Sequence, residues 1–216
     1  MPLQNRVMPT GEIIASPARG TLMGNRGIIH DFETKTLLER RWQHQAWVCC
    51  RLEFKGFQHP IMGRGRYTEL FFLDEATALA AGHRPCAYCR RADFKAFELA
   101  WLRGKGVDPE RFVVMTSIDR ELHRERVTRT RLQVRHRALL ETLPAGAMIS
   151  DLTDIYLVWG NKLFPWRESH YETPIEKGRG EVRVLTPRSI VRALAAGYVP
   201  AVHFSVFGAK EARVVS

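Results

Sequence analysis

The sequence predicts an α+β protein: antiparallel β structure with several short helices, one long helix, and two strand–helix–Gly-x-x-Pro units. Three observations carry that expectation. Strand-period and helix-period segments follow one another without the regular βαβ alternation of a parallel sheet. An arginine-rich stretch over about 117–142 spaces its apolar residues as a helix does and is stopped by Pro144. The stretch "LAAGHRPCAYC", Leu79 to Cys89, is echoed by "LAAGYVPAVHF", Leu194 to Phe204. With 216 residues, 45% of them hydrophobic, the chain can bury a real core, and a single domain over 1–216 is expected.

The elements follow in order. Residues 1–30 read as loop with one short strand at "GEIIAS". Gly20, Gly24 and Gly27 stand there beside Arg19 and Arg26. Such a set can wrap an anion, but it matches no P-loop or dinucleotide fingerprint, and a surface loop needing positive φ is the simpler reading. "AWVCCRLEF" reads as a strand with Val48, Cys50, Leu52 and Phe54 on its apolar face, and Trp47, Cys49 and Arg51 opposite. "GFQHPIMGRGRYTELFFL" reads as a hairpin turning at "GRG". Asp74 suits the N-cap of the short helix "EATALAA", which Gly82 stops. "ADFKAFELAWLRG" is a second helix with Phe94, Phe97 and Trp101 on one face, closed by Gly104. "RFVVMT" reads as a strand ahead of the long helix. A β/helix unit follows over about 145–206. It holds a hairpin about Gly160-Asn161, a strand "EVRVL", and a helix capped by Thr186 with Pro187 at its first position and Gly197 at its end.

The two Leu-Ala-Ala-Gly copies share a helix end, an aromatic ring and a proline, which convergence or duplication of a unit would each explain. Their chemistry differs. Where the first has Cys86 and Cys89, the second has Ala201 and Phe204. The scaffold therefore does not itself require cysteine. Pro200, Ala201 and His203 are expected to serve packing.

Only four cysteines occur, and no apolar run is long enough to cross a membrane or act as a signal peptide. A cytoplasmic protein with reduced thiols is expected. There a Cys-x-x-Cys is metal-binding or redox-active rather than part of a disulfide framework. The redox reading fits poorly, since the motif follows a helix instead of opening one. Cys-x-x-Cys lets two thiolates reach one tetrahedral metal, zinc by preference. Cys49 and Cys50 point to opposite faces of their strand, so one of them joins, and Cys50 is the better placed beside a core. The fourth ligand is then sought among His44, His59 and His83.

The stretch "ELFFLDEATALAAGHRPCAYCRRADF" resembles the second half of the Ada-type zinc-binding module, the methylphosphotriester-repair domain. The likeness runs over Phe71 to Arg90, within an Ada-like element of about 46–103, and rests on Arg-Pro-Cys-x-x-Cys after Ala-Gly. It implies that Cys86 and Cys89 are zinc ligands. In methyl-accepting members one cysteine of an earlier pair takes a methyl group from a DNA phosphotriester. Here that earlier pair is the adjacent Cys49-Cys50, without the family's intervening residues, and no Pro-Cys-His-Arg alkyltransferase motif occurs. The whole chain also resembles a bacterial family of uncharacterised proteins through "RGTLMGNRG", "YTELFFLDEATALAAGHRPC", "SIDRELHRER" and "VRVLTPRSIVRALAAGY".

The formal net charge of +10 points to a polyanionic partner, DNA or RNA. Residues 118–137 hold seven arginines and three carboxylates. On a helix, Ile118, Leu122, Leu132, Leu139 and Leu140 form a stripe that also takes in Glu125, Arg129 and His136. Glu125 and Arg129 are read as a buried bridge that sets packing register, the alternative being a polar site on the inner wall of a cleft. The other arginines fall on the outer face, and Arg90, Arg91, Arg124, Arg131 and Arg135 are the expected phosphate contacts. His123 in "ELHRER" offers a base beside carboxylates, a pattern equally common on solvated helices. Trp159, Phe164, Trp166 and Tyr171 interleave with Lys162 and Arg167. They suit base stacking, or the core face of a hairpin. The leading expectation is a nucleic-acid-associated protein with a structural zinc site. The alternatives are a hydrolase or alkyl-accepting enzyme acting near Cys86, and a metal-stapled scaffold for another protein. No Ser-His-Asp set or known metal-hydrolase motif stands out, and the catalytic residues and any small-molecule substrate stay unassigned.

Overall fold

A computed structural model describes residues 1–56, 60–108, 115–128 and 132–208. The protein is α+β, with two six-stranded sheets and four α-helices among the described residues. The N-terminal part contributes β1 (Gln4–Val7), β2 (Ile13–Ala15), β3 (Leu22–Asn25), β4 (Val48–Arg51) and β5 (Leu70–Phe72). Helix α1 (Glu75–Ala80), the short β6 (Arg84–Pro85), α2 (Arg91–Gly104) and α3 (Met115–Arg126) follow. The C-terminal part holds β7 (His136–Leu139), β8 (Met148–Ser150), β9 (Ile155–Trp159), β10 (Lys162–Pro165), β11 (Ile175–Glu176), β12 (Glu181–Val184) and α4 (Arg188–Ala195). The first sheet runs β2-β1-β5-β3-β4-β6, the second β11-β10-β9-β8-β12-β7. Pairing is antiparallel except between β1 and β5 and between β4 and β6.

Each sheet carries one Leu-Ala-Ala-Gly unit, β5–α1 in the first and β12–α4 in the second. Their helix ends are the same device. Gly82 and Gly197 take φ of 82° and 102°. The following residue bonds back five positions, His83 N to Ala78 O at 2.9 Å and Tyr198 N to Ala193 O at 3.0 Å. Both rings are buried. The units also meet. Glu75 N donates to Ala201 O (3.0 Å), while the Glu75 carboxylate accepts from Ala201 N (2.9 Å) and Tyr198 Oη (2.6 Å). Asp74 caps α1 through Thr77 N (2.9 Å) as its position predicts. It also accepts from Tyr171 Oη (2.9 Å) and His203 N (3.0 Å). The loop after α4 thus holds the N-terminus of α1.

Several expectations are corrected. The long helix ends at Arg126. Val127 bridges to Gln133, and His136–Leu139 pairs with β12 as a strand, because "HRAL" presents alternate side chains to a neighbour of matching length. The first thirty residues hold three strands rather than one. The Gly20 and Gly24 pattern serves close packing: an added Cβ would lie 2.3 Å from Phe72 O and 2.4 Å from the Phe72 ring respectively. Among the described residues of the expected 56–73 hairpin, Leu70–Phe72 alone is a strand, and it pairs with β1 and β3. The 111–114 part of "RFVVMT" lies outside the described residues, and Met115 and Thr116 open α3. Thr186 does not cap α4. Its Oγ1 accepts from Met148 N (2.9 Å), and Glu125 of α3 engages Ser189 N (2.8 Å) and Ser189 Oγ instead. Glu125 therefore acts as a helix cap across the interface. Its expected partner, Arg129, lies outside the described residues. The hairpin about Gly160-Asn161 forms as read, with Trp159 opposite Lys162.

Candidate metal centre

The parallel pair β4–β6 at the edge of the first sheet builds the centre. Val48 lies opposite Arg84 and Cys49 opposite Pro85, so the next step brings Cys50 level with Cys86. Arg84 N donates to Trp47 O (3.2 Å) and Cys86 N to Cys49 O (3.0 Å), which fixes that register. The chain then turns back on itself. Arg90 N donates to Cys86 O (3.0 Å) and Phe94 N to Arg90 O (2.9 Å), leading directly into α2. This turn returns Cys89 to Cys86. The Sγ atoms of Cys50, Cys86 and Cys89 lie within 4.8 Å of one another. Three sulfurs on one zinc, each about 2.3 Å from it, would stand about 3.8 Å apart, so the spacing suits a metal ion.

The surroundings favour thiolates. Cys86 is pushed down to about 5, first because the Cys50 thiol donates to it. Against the cost of burial, the backbone N–H groups of Cys89 and Tyr88 also point at its sulfur. Cys89 is pushed down too, by the Cys50 thiol and, against burial, by the Arg51 N–H. Cys50 is pushed up because its proton is shared with Cys86 and Cys89. A cation bound by the three sulfurs displaces the protons that remain on them. Cys49 is different. It is 1% exposed, its thiol is pushed up by burial, and its sulfur receives a bond from Arg90 Nη1 at 3.5 Å.

The strand faces are the reverse of the expectation. Trp47 and Cys49 are buried at 2% and 1%, while Leu52 is 48% exposed. Leu52 and Phe54 lie past the end of β4, so their alternation carries no information about the strand. Cys50 joins the motif because it faces outward with the loop, and not because it sits against a core.

The structure places the other named residues as follows. His44 is exposed and outside the thiol cluster. His83 is fully buried, accepts from Arg26 Nε at 3.1 Å through Nε2, and packs on Trp47 and Phe72, away from the sulfurs. His59 lies outside the described residues. Among the described residues no fourth ligand joins the three sulfurs. Arg90 is turned inward. It is 5% exposed, pairs with Glu75 at 2.9 Å and Asp93 at 2.9 Å, and so offers no surface phosphate contact. Arg91, Arg124 and Arg135 are exposed, and Arg131 lies outside the described residues. His123 is half-buried beside Trp42 and Arg126, with its ring nitrogen 3.2 Å from Arg126 Nη2. Phe164, Trp166 and Tyr171 pack in the core of the second sheet. His203 bonds Ser205 at 2.9 Å and lies outside the thiol cluster.

Beside the thiols lies an exposed patch of rings and cations. Tyr88 is 68% exposed, Phe54 meets it edge-on at 5.1 Å, and Lys55 Nζ lies 3.2 Å from Tyr88 Oη. Arg51 and Arg91 are exposed nearby in sequence. Of this patch sequence reasoning named Arg91 as a contact and missed the role of Tyr88, although Tyr88 lies inside the motif itself. It also placed Arg126 on the outer face of its helix, whereas Arg126 is 1% exposed. The spacing Ile118, Leu122, Arg126 was the available signal.

No family model matches the chain, and no curated protein or solved structure is detectably similar to it.

Proposed function

We propose that the protein holds one zinc ion through Cys50, Cys86 and Cys89 and uses the surface around it to bind nucleic acid through phosphate contacts. The three-thiol cluster carries this reading, because its sulfurs and surrounding amides suit a thiolate-bound divalent metal. Bound there, zinc would tie β4, the turn after β6 and the start of α2 together, contributing to folding directly. The association with nucleic acid is supported by the net charge of +10 and by Arg51, Lys55 and Arg91 interleaved with the exposed Tyr88. Cations of this kind meet phosphates, and an exposed ring stacks on unpaired bases.

Fluorescence anisotropy with labelled duplex and single-stranded oligonucleotides tests the association. Phosphate-led binding to a duplex weakens with salt at a log–log slope of about −0.9 per contact. Changing Arg51 and Arg91 together to Ala should flatten that slope by about two contacts with the fold retained. Tyr88→Ala should weaken single-stranded binding more than duplex binding. An absence of binding at about 50 mM salt and micromolar protein would remove the nucleic-acid half of the reading and leave the metal half standing.

A further inference from the structure

A cavity of about 580 Å³ lies between the N-terminal strands and the segment after α3. Its volume is that of a site for a small organic molecule. Its lining is unusual in charge. Arg26, Arg41, Arg126 and Arg135 all face it, and the one carboxylate among the described lining residues, Glu12, is exposed.

Two of these arginines are buried in the protein, Arg26 at 2% and Arg126 at 1%. Each guanidinium carbon lies 4.0 Å from the centre of the Trp47 ring, so the two carbons stand no more than twice that distance apart. Among the described residues neither has a carboxylate within ion-pair distance. Arg126 donates instead to Gly82 O (2.7 Å) and to Gln45 O, and Arg26 to His83 and, at 3.4 Å, to Gly11 O. Carbonyls and a ring soften the cost of burying two cations but do not neutralise them. Burial and then Arg41 lower the Arg26 guanidinium to about 9, and burial and then Arg26 push Arg126 well down, with Asp119 opposing the shift.

Four buried polar atoms of the same lining have no hydrogen-bond partner among the described residues: Arg26 Nη2, Arg126 Nε, Gln133 Oε1 and Thr10 Oγ1. Buried polar atoms are nearly always satisfied, and here the exceptions gather at one cavity. They include two donors on cations and an acceptor. The Gln133 amide nitrogen is already committed to Pro9 O (2.9 Å) and Ala80 O (3.0 Å), which leaves its oxygen to accept.

We propose that this cavity binds a phosphate monoester, its dianionic group received by Arg26 and Arg126 and an attached hydroxyl or amine donating to Gln133. The charge count selects the class. A phosphate monoester is close to dianionic at neutral pH and matches two guanidinium groups that have no ion-pair partner among the described residues. Guanidinium forks fit tetrahedral oxyanions in two-point fashion. The cavity is far larger than bare phosphate, which favours an organic ester whose own hydroxyl or amine reaches the unused acceptor. The half-buried Trp42, also in the lining, gives a flat ring somewhere to rest. The site stands apart from the thiol cluster and does not depend on metal.

Isothermal titration of the full chain with adenosine monophosphate, adenosine and inorganic phosphate tests it. The monophosphate should bind saturably and raise the melting temperature. Adenosine should not bind, and inorganic phosphate should bind more weakly than the monophosphate. An oligonucleotide with a 5′ phosphate, competed against the same strand ending in a hydroxyl, separates a strand end from a free nucleotide as the source of the ester. Arg26→Gln and Arg126→Gln should each weaken binding about ten- to a hundredfold, the usual worth of a hydrogen bond to a charged group. Because both are buried, the Arg41→Ala, Arg135→Ala double variant at more exposed positions provides a folded control and should weaken binding by a smaller factor. The proposal is overturned if the folded protein shows no saturable binding of any phosphate ester at millimolar ligand. It is equally overturned if adenosine binds as well as its monophosphate, or if the double variant and both buried variants bind as tightly as the parent. Metal content and duplex binding are unaffected by any of these results.

Discussion

Replacing Glu75 by alanine removes a carboxylate that is 1% exposed and accepts from three donors. Arg90 Nη2 lies 2.9 Å from it, Tyr198 Oη 2.6 Å, and Ala201 N 2.9 Å. Loss of one partner from a buried ion pair costs about 3–5 kcal/mol, mostly through the charge left behind. Arg90 keeps Asp93 at 2.9 Å, but that carboxylate is 43% exposed and so compensates weakly. Tyr198 Oη and Ala201 N lose their acceptor as well, which keeps the total from falling below that range. A loss of about 4 kcal/mol corresponds to a fall in melting temperature of about 8–16 °C for a chain of this size. Calorimetry of Glu75→Ala measures it. The Glu75→Leu, Arg90→Met double variant leaves no charge stranded and should recover a large part of the loss. A drop below about 1 kcal/mol in the single variant, or a double variant as unstable as the sum of its parts, would refute the claim that Glu75 joins the two Leu-Ala-Ala-Gly units. Arg90 follows Cys89 directly, so the single variant should also release metal more readily.

The two helix-ending glycines give a matched comparison. Gly197→Ala meets no atom within 4 Å and should cost about 1–2 kcal/mol of left-handed backbone strain. Gly82→Ala should cost more, because its Cβ would lie 2.6 Å from Arg126 Cδ; equal losses in thermal melts would argue against the Arg126 placement. Acid should destabilise the protein through His136, which is held down to about 4 by burial and then by Arg188. With the folded value depressed, its contribution is fully present above about pH 6.5 and is lost as pH falls toward 4, so His136→Gln should flatten the stability–pH curve in that window. An unchanged slope would remove His136 from the account.

Much of the centre was legible in the sequence because its information is local. The Cys-x-x-Cys spacing named Cys86 and Cys89, and the single-face rule admitted one of Cys49 and Cys50; Cys50 was the right choice, although the core face expected for it belongs to Cys49. Asp74 and the two glycine stops were legible for the same reason, since capping is written within a few residues. What failed depended on distant partners. A stretch of arginines and leucines has helical propensity throughout, and only pairing with β12 turns His136–Leu139 into a strand. Thr186 is a good cap by type, but Met148 claims its hydroxyl and Glu125 arrives from α3 to replace it. Buried Arg26 and Arg126 are indistinguishable by type from the solvated arginines around them. Nothing in local spacing announces that Trp47 will lie against both.

The central claim is that Cys50, Cys86 and Cys89 hold one metal ion and Cys49 does not. Elemental analysis of protein purified without chelator, beside the four single Cys→Ser variants, tests it most directly. The account predicts about one zinc per chain in the parent and in Cys49→Ser, as a structural site stays filled. It predicts a marked loss of both metal and thermal stability in Cys50→Ser, Cys86→Ser and Cys89→Ser. Less than about a tenth of an equivalent in the parent, or full retention in the Cys50→Ser variant, would contradict it, since a structural zinc site depends on its thiolate ligands.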